Sequence, residues 1–297
     1  MSRKILAIKA KSRLGMKYIP HGGTELNIGV EDGPETVLSP DFLQKIGNPR
    51  LIDFSFSLPE AVSEEEYYGR IGEETNDLAR KIENAFREND SPFVLTVGGD
   101  HSIASASLLS MARIMKGKNL GVIMFDSHGD IHLKGTSPTG NYHGMWLRPF
   151  WSEYDDSEIE KAIDVSFNGD QLVFIGNLLL EEEEINFLSK NNVQIFPSEK
   201  FAGAAKQDSY EKLLAFSMAH DAVHVSFDID VFNTDLVRAT GTPNPAGFGK
   251  EMIFDIIRVL KESGKISSLD LVEVNPKKDG SAETTALAQE VISEFLG

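Results

Sequence analysis

Short apolar runs alternate with longer segments of helical periodicity along this 297-residue chain. Residues 4–9, 92–97, 119–125, 172–175, 222–227 and 266–272 are mostly apolar without alternation, as expected of parallel strands buried on both faces. Residues 50–56 and 193–196 are weaker strand candidates. Between them, Ile71, Leu78, Ile82 and Phe86 recur at helical spacing and mark a helix over 63–89, with Ser63 and Glu66 placed as a capping box. Segments 102–116, 207–220, 249–263 and 281–296 also read as helices. The acidic run Glu181–Glu184 reads as the start of another, where carboxylates suit the helix dipole. This alternation predicts an α/β fold with right-handed crossovers: three layers, α/β/α, around a central, mostly parallel sheet of about eight strands. No internal repeat, low-complexity tract or long Pro/Ser linker divides the chain, so one domain over 1–297 is expected. Residues 133–171 read mostly as loop, and so long a loop is usually functional or mobile.

Composition narrows the picture. Hydrophobic residues make up 41% and charged residues 25%, which excludes disorder, collagen and coiled coil as descriptions of the whole chain. The net charge of −17 argues against nucleic acid as a partner, because phosphate binding needs clustered Lys and Arg, and points weakly to a small cationic one. Without cysteine there is no disulfide, thiolate zinc site or thiol nucleophile, which fits a reducing compartment. The apolar run Ile5–Ile8 is too short for a signal-peptide core. No stretch approaches the roughly 18 apolar residues of a membrane span. A cytoplasmic protein with no membrane partner is the expectation.

Ligands of open parallel sheets bind beyond the carboxyl ends of the strands. There the sequence places Gly98-Gly99-Asp100-His101-Ser102, then Asp126-Ser127-His128-Gly129-Asp130-Ile131-His132, then Asp228-Ile229-Asp230, and finally Glu273. In extended backbone, residues i, i+2 and i+4 point the same way, so Asp126, His128 and Asp130 are expected to converge, with Asp228 and Asp230 as a second claw. With His101 the set is four carboxylates and two imidazoles. Four crowded carboxylates repel one another, and two divalent cations neutralise them with both imidazoles uncharged. Oxygen-rich donors with some imidazole suit Mn²⁺ or a related ion. Two such ions roughly 3.5–4 Å apart can share a bridging water and make it hydroxide at neutral pH, so the implied chemistry is metal-assisted hydrolysis. One Asp-x-Asp at a strand end often does no more than cap a turn. A lone histidine in a strand, such as His224, is ordinarily a packed residue, and His21 and His220 carry no signal. Asp100 is expected to orient a neighbour, and Asp270 to be structural.

These motifs resemble the ureohydrolase family, which includes arginase, agmatinase, guanidinobutyrase and formimidoylglutamase. GGDHS at 98–102, DSHGDIH at 126–132 and SFDIDVFNTDLVRATGTP at 226–243 carry the likeness. Thr139-Gly140-Asn141-Tyr142-His143-Gly144 and VEVNP at 272–276 draw it closest to arginase. The resemblance implies that His101, Asp126, Asp130 and Asp228 hold one Mn²⁺, and that Asp126, His128, Asp228 and Asp230 hold the other. The bridging hydroxide would attack the guanidinium carbon of L-arginine or a close analogue, giving urea and an amine. Asp130 would pass a proton toward the leaving amine, His143 would shuttle protons, and Glu273 would pair with the guanidinium. Thr242 would line the same pocket, and Thr139 and Asn141 would position the substrate carboxylate. Family members are commonly trimers or hexamers.

Three departures leave the metal chemistry intact and bear on strict arginine specificity. His132 stands where arginases usually place Asn. Asn177-Leu178-Leu179-Leu180-Glu181 replaces an Arg-Asp-Val-Asp stretch whose acids read the α-amino group. Glu181 falls near the second acid, whereas Leu179 cannot replace the first. Val231-Phe232-Asn233-Thr234 replaces the usual Gly-Leu-Asp-Pro. The alternatives are therefore agmatine, guanidinobutyrate or formimidoylglutamate as substrate, or a metal-binding homologue without turnover.

Overall fold

The computed structural model describes residues 4–20, 26–56, 62–89, 92–151 and 154–297; His21 lies outside them. Eight strands form one sheet: β1 (Ile5–Lys11), β2 (Arg50–Ser55), β3 (Phe93–Gly98), β4 (Leu120–Phe125), β5 (Leu172–Ile175), β6 (Gln194–Phe196), β7 (Ala222–Asp228) and β8 (Ile266–Val272). Their order is β2-β1-β3-β8-β7-β4-β5-β6, and every neighbouring pair is parallel. All eight expected strands form, the two weaker ones included.

Alternate residues of one strand enter different cores, which is why the strands read as unbroken apolar runs. Leu6, Ile8, Val122, Met124 and Phe174 face one core, with α3 (Glu64–Glu88), α4 (Ala104–Ile114), α5 (Ser157–Ala162) and α6 (Glu182–Lys190). Ala7, Leu95, Ile123, Phe125 and Val225 face the other, with α1 (Gly33–Val37), α2 (Pro40–Lys45), α7 (Ala205–Met218), α8 (Lys250–Glu262) and α9 (Ser281–Leu296). The capping box of α3 forms: Glu66 N–H donates to Ser63 Oγ at 3.2 Å, and Ser63 N–H to Glu66 Oε2 at 2.6 Å. Among the described residues no helix is long and apolar enough to cross a membrane.

Two regions differ from the sequence reading. The short α1 and α2 were not anticipated; five and six residues are too few to show a helical period. The stretch 133–171 contains α5 and buries Tyr142, Met145, Trp146, Leu147 and Phe150. It is a packed element, because its aromatic side chains fill the space above α3 and α4.

The strand order decides which strand ends can share a site. β8 and β7 come late in the chain yet sit between β3 and β4. The four strands whose ends carry Asp, His or Glu are thus consecutive. Their ends are level, with Val97 opposite Leu271, Asp228 opposite Val272 and Phe125 opposite Phe227. At about 4.8 Å between strands, four ends span only ~15 Å.

Candidate metal and substrate site

Asp folds readily onto the amide two residues ahead, and this chain does so three times at strand ends. Asp126 Oδ1 accepts from His128 N–H at 2.7 Å, Asp228 Oδ1 from Asp230 N–H at 2.8 Å, and Asp100 Oδ1 from Ser102 N–H at 2.8 Å. The other oxygens of the first two turn inward. Asp126 Oδ2 and Asp228 Oδ2 lie 3.1 and 3.3 Å from His101 Nδ1, and Asp130 Oδ2 lies 2.9 Å from it. His128 Nδ1 is 3.5 Å from Asp126 Oδ1 and 3.2 Å from Asp230 Oδ2. Two groups able to hold a metal result, His101-Asp126-Asp130 and Asp126-His128-Asp230, sharing Asp126.

The six residues converge as expected, but not by extended alternation. β4 stops at Phe125, and beyond β7 the backbone tightens into a 3₁₀ turn at Ile229–Val231. Asp130 and Glu273 have φ of 53° and 70°, in the left-handed region. Such conformations are costly for residues other than glycine and gather at functional sites. Period-two projection fails here because the carboxylates themselves cap the turns that end the strands.

Burial concentrates the charge. It opposes protonation of His101, but Asp126, Asp130 and Asp228 outweigh it and hold that pKa well above the ordinary imidazole value. At His128 burial is likewise overcome, by Asp230 and Asp126, and the pKa is pushed up to about 12. Burial, with Asp230 and Asp126 beside it, lifts Asp228 well above the carboxylate range. Metal binding would displace any proton from these imidazole nitrogens. Two buried atoms, His101 Nδ1 and Asp126 Oδ2, make no hydrogen bond at all. These lone pairs, in a set of carboxylate oxygens and imidazole nitrogens without thiolate, fit a hard-to-borderline divalent cation.

Support from behind is continuous. His101 Nε2 contacts Ser226 Oγ at 2.9 Å, and Ser226 Oγ donates to Asp270 Oδ1 at 2.6 Å. Asp270 Oδ2 is 2.9 Å from His224 Nε2, whose Nδ1 meets Ser268 Oγ at 2.8 Å. With Ser226 donating onward, His101 donates from Nε2 and keeps Nδ1 bare for a cation. His224 is packed and satisfied, as expected of a lone histidine in a strand. Asp270, expected to be structural, is one bond from the group that orients His101. Trp146, from the packed stretch, donates its indole N–H to Asp130 Oδ2 at 3.1 Å.

A cavity of about 340 Å³ opens above the cluster. His101, His128, Asp130, Asp228 and Glu273 line its floor, with His143 and Thr242 beside them. Thr242 Oγ1 donates to Asp230 Oδ2 at 3.2 Å. His143 Nδ1 lies 3.0 Å from Gly15 O, so Nδ1 carries the proton and Nε2 is left for proton transfer. Glu273 is held on both oxygens, by His101 N–H at Oε1 and Asn27 Nδ2 at Oε2, each at 2.8 Å. The outer end is lined by His132, Ser137, Thr139, Leu179, Glu181 and Glu184. His132 Nε2 lies 3.7 Å from Glu181 Oε2 and 3.6 Å from Glu184 Oε2. None of the described residues lining the cavity is Lys or Arg.

Asn141 is not part of this lining. It is fully buried, and its Oδ1 accepts Tyr18 N–H at 2.7 Å, anchoring a loop where a substrate contact was expected. Asp100 Oδ2 likewise accepts Gly15 N–H at 3.1 Å, steadying the loop whose carbonyl meets His143. Glu184 and Asn27 were missed. Glu184 looked like one more acid of a helix start, yet it is buried beside Gly129, where an added Cβ would lie 2.5 Å from its Oε1. The absence of a side chain at Gly129 was the only signal in the sequence.

A family model described as the arginase family matches residues 21–297. An arginase of Staphylococcus aureus (strain COL) is 31% identical over 232 residues, covering 77% of this chain and 75% of its own length. The crystal structure of arginase from Bacillus subtilis superposes with a TM-score of 0.83 at 26% identity, over 99% of both chains. The arginase of Entamoeba histolytica, solved with L-ornithine, shares the fold with a TM-score of 0.86 at 22% identity, over 100% of this chain and 99% of its own. Strand order, acidic cluster and these likenesses agree, and the chain belongs to the arginase family of hydrolases, whose members act on guanidino compounds.

Proposed function

We propose that the protein is a binuclear manganese amidinohydrolase that cleaves L-arginine, or a close guanidine, to urea and an amine, ornithine when the substrate is arginine. The observation that carries this reading is the pair of His/Asp groups sharing Asp126 beneath a cavity that His143 and Glu273 also line. His101, Asp126, Asp130 and Asp228 would hold one cation, and Asp126, His128, Asp228 and Asp230 the other. Bound there, two divalent ions supply the positive charge four carboxylates require and lower the pKa of water.

The chain's own groups then divide the work. Glu273 holds the guanidinium, a planar cation suited to a carboxylate. Asp130, fixed by the Trp146 N–H, takes up a proton and returns it to the leaving nitrogen. His143 exchanges protons between pocket and solvent through Nε2. Thr242 narrows the guanidine end, and Thr139, His132 and Glu181 receive the far end of the substrate. By the family resemblance we take the working form to be a homo-oligomer, a trimer or hexamer.

One observation favours a second reading. Among the described residues, the outer end has two carboxylates and an exposed Leu179 but no Lys or Arg lining it. That chemistry suits a distal amine better than a distal carboxylate, so agmatine competes with arginine, and guanidinobutyrate and formimidoylglutamate, which carry carboxylates and no free amine, fit worst. Urea and ammonia release from arginine, agmatine, guanidinobutyrate and formimidoylglutamate, measured on manganese-loaded protein, tests both readings. Activity that vanishes without the α-carboxylate supports arginine, and activity that survives its loss supports agmatine. Two equivalents of manganese bound with no substrate cleaved would leave a metal-binding protein without turnover.

A further inference from the structure

We infer that Asn27 is a positioning residue for the guanidine end of the cavity, setting the plane of the Glu273 carboxylate through its hydrogen bond to Oε2. The inference rests on the reading of Glu273 as the group that faces the guanidinium. A glutamate carboxylate turns easily about its last torsion. The His101 N–H on Oε1 alone leaves it free to pivot about that contact, and Asn27 Nδ2, 2.8 Å from Oε2, removes the pivot. Each oxygen keeps another lone-pair site, so a carboxylate held this way still accepts a two-pronged donor.

The direction of the Asn27 amide is set by its partners. Lys277 N–H donates to Asn275 Oδ1 at 2.9 Å, so the nitrogen of that side chain is the atom facing Asn27. Asn275 Nδ2 donates to Asn27 Oδ1 at 2.6 Å, and Asn27 therefore presents Nδ2 to Glu273. A chain of donors starts at a backbone N–H and ends on the carboxylate. Asn275 is fully buried and also donates to Ile28 O at 3.1 Å, which ties the Asn27 segment to the backbone just beyond β8. Asn27 has φ of 47°, a left-handed conformation that Asn tolerates better than most residues. Gly241 packs closely on it; a Cβ there would lie 3.0 Å from Asn27 Nδ2.

Two substitutions separate positioning from mere support. Glycine accepts the backbone angle and deletes the amide. Aspartate keeps the shape and the acceptor for Asn275 but turns an oxygen on Glu273. A structural role makes Asn27→Asp the milder change, whereas the positioning role makes it the harsher. On manganese-loaded protein we expect Asn27→Gly to raise KM about tenfold and Asn27→Asp to raise it further, the scale of a hydrogen bond to a charged group. Inhibition by guanidinium ion should weaken in parallel, with two manganese ions still bound. The inference is overturned if Asn27→Asp is the milder variant, or if both leave KM and guanidinium inhibition within twofold of the parent. Should Asn27→Asp not fold, Asn27→Gly decides alone by the same twofold limit. A parent protein that cleaves no guanidine sinks the functional reading and this inference together. An active parent with the reverse order of variants sinks only the inference.

Discussion

The floor of the cavity is made where four adjacent strands end, whereas its outer end is made by residues 132–139 and the first turn of α6. On the floor, Asp126, Asp228, Asp230, His101 and Glu273 are nearly or wholly buried, and turns that the aspartates cap themselves fix their approach. At the outer end Leu179 is 58% exposed, although its N–H is fastened to Ser127 O at 2.7 Å, and the His132 side chain reaches Thr136 Oγ1 only at 3.5 Å and the Glu181 and Glu184 carboxylates only at 3.7 and 3.6 Å. A rigid sheet edge can hold multivalent cations without rearranging, and a loosely contacted rim can change partners while the floor stays the same. On the proposed function, the chemistry would sit on the strand ends and the choice of substrate on the rim.

The expected effects of substitution track that division. Asp126→Asn touches both groups of ligands and, on the ligand sets proposed above, Asp228→Asn would too, so metal analysis should find the manganese pair lost and urea assays no turnover. Retention of both ions with full activity would dissolve the contrast. His143→Ala should lower kcat by about 10²–10⁴-fold, the range of a proton-transfer group, with metal content unchanged; metal loss would place His143 in the floor. Asp270→Ala removes the acceptor behind Ser226 and should weaken manganese binding by about 10–100-fold in a chelator competition, with little change in KM of the loaded protein. Glu181→Ala belongs to the rim and is the smallest. KM for a substrate with a distal amine should rise several-fold, with kcat and metal content steady, and an unchanged KM would remove Glu181 from recognition.

How much was legible in the sequence differs between the two regions for the same reason. His101, Asp126, His128, Asp130, Asp228 and Asp230 stood out because each comes after an apolar run, and a buried parallel strand announces where it ends. Glu184 and Asn27 did not, since an acid in an acidic run or an asparagine in a loop has no local pattern. Asn141 shows a related limit: a motif indicates a residue's neighbourhood, and the buried contact with Tyr18 depends on a segment 123 residues away. The stretch 133–171 read as loop because its aromatics lack a period, and yet they are buried.

By itself, the sequence determined the eight strands, the major helices and the donor types of the candidate metal cluster, because those depend on the local alternation of apolar runs and on what stands beside them. Tertiary structure alone decided that β8 and β7 lie between β3 and β4, that Asp130 and Glu273 take left-handed backbone, and that Asn27 reaches Glu273 across 246 residues. Those are contacts between distant segments, chosen by which faces pack and which buried polar atoms find partners, and no local window of residues contains them.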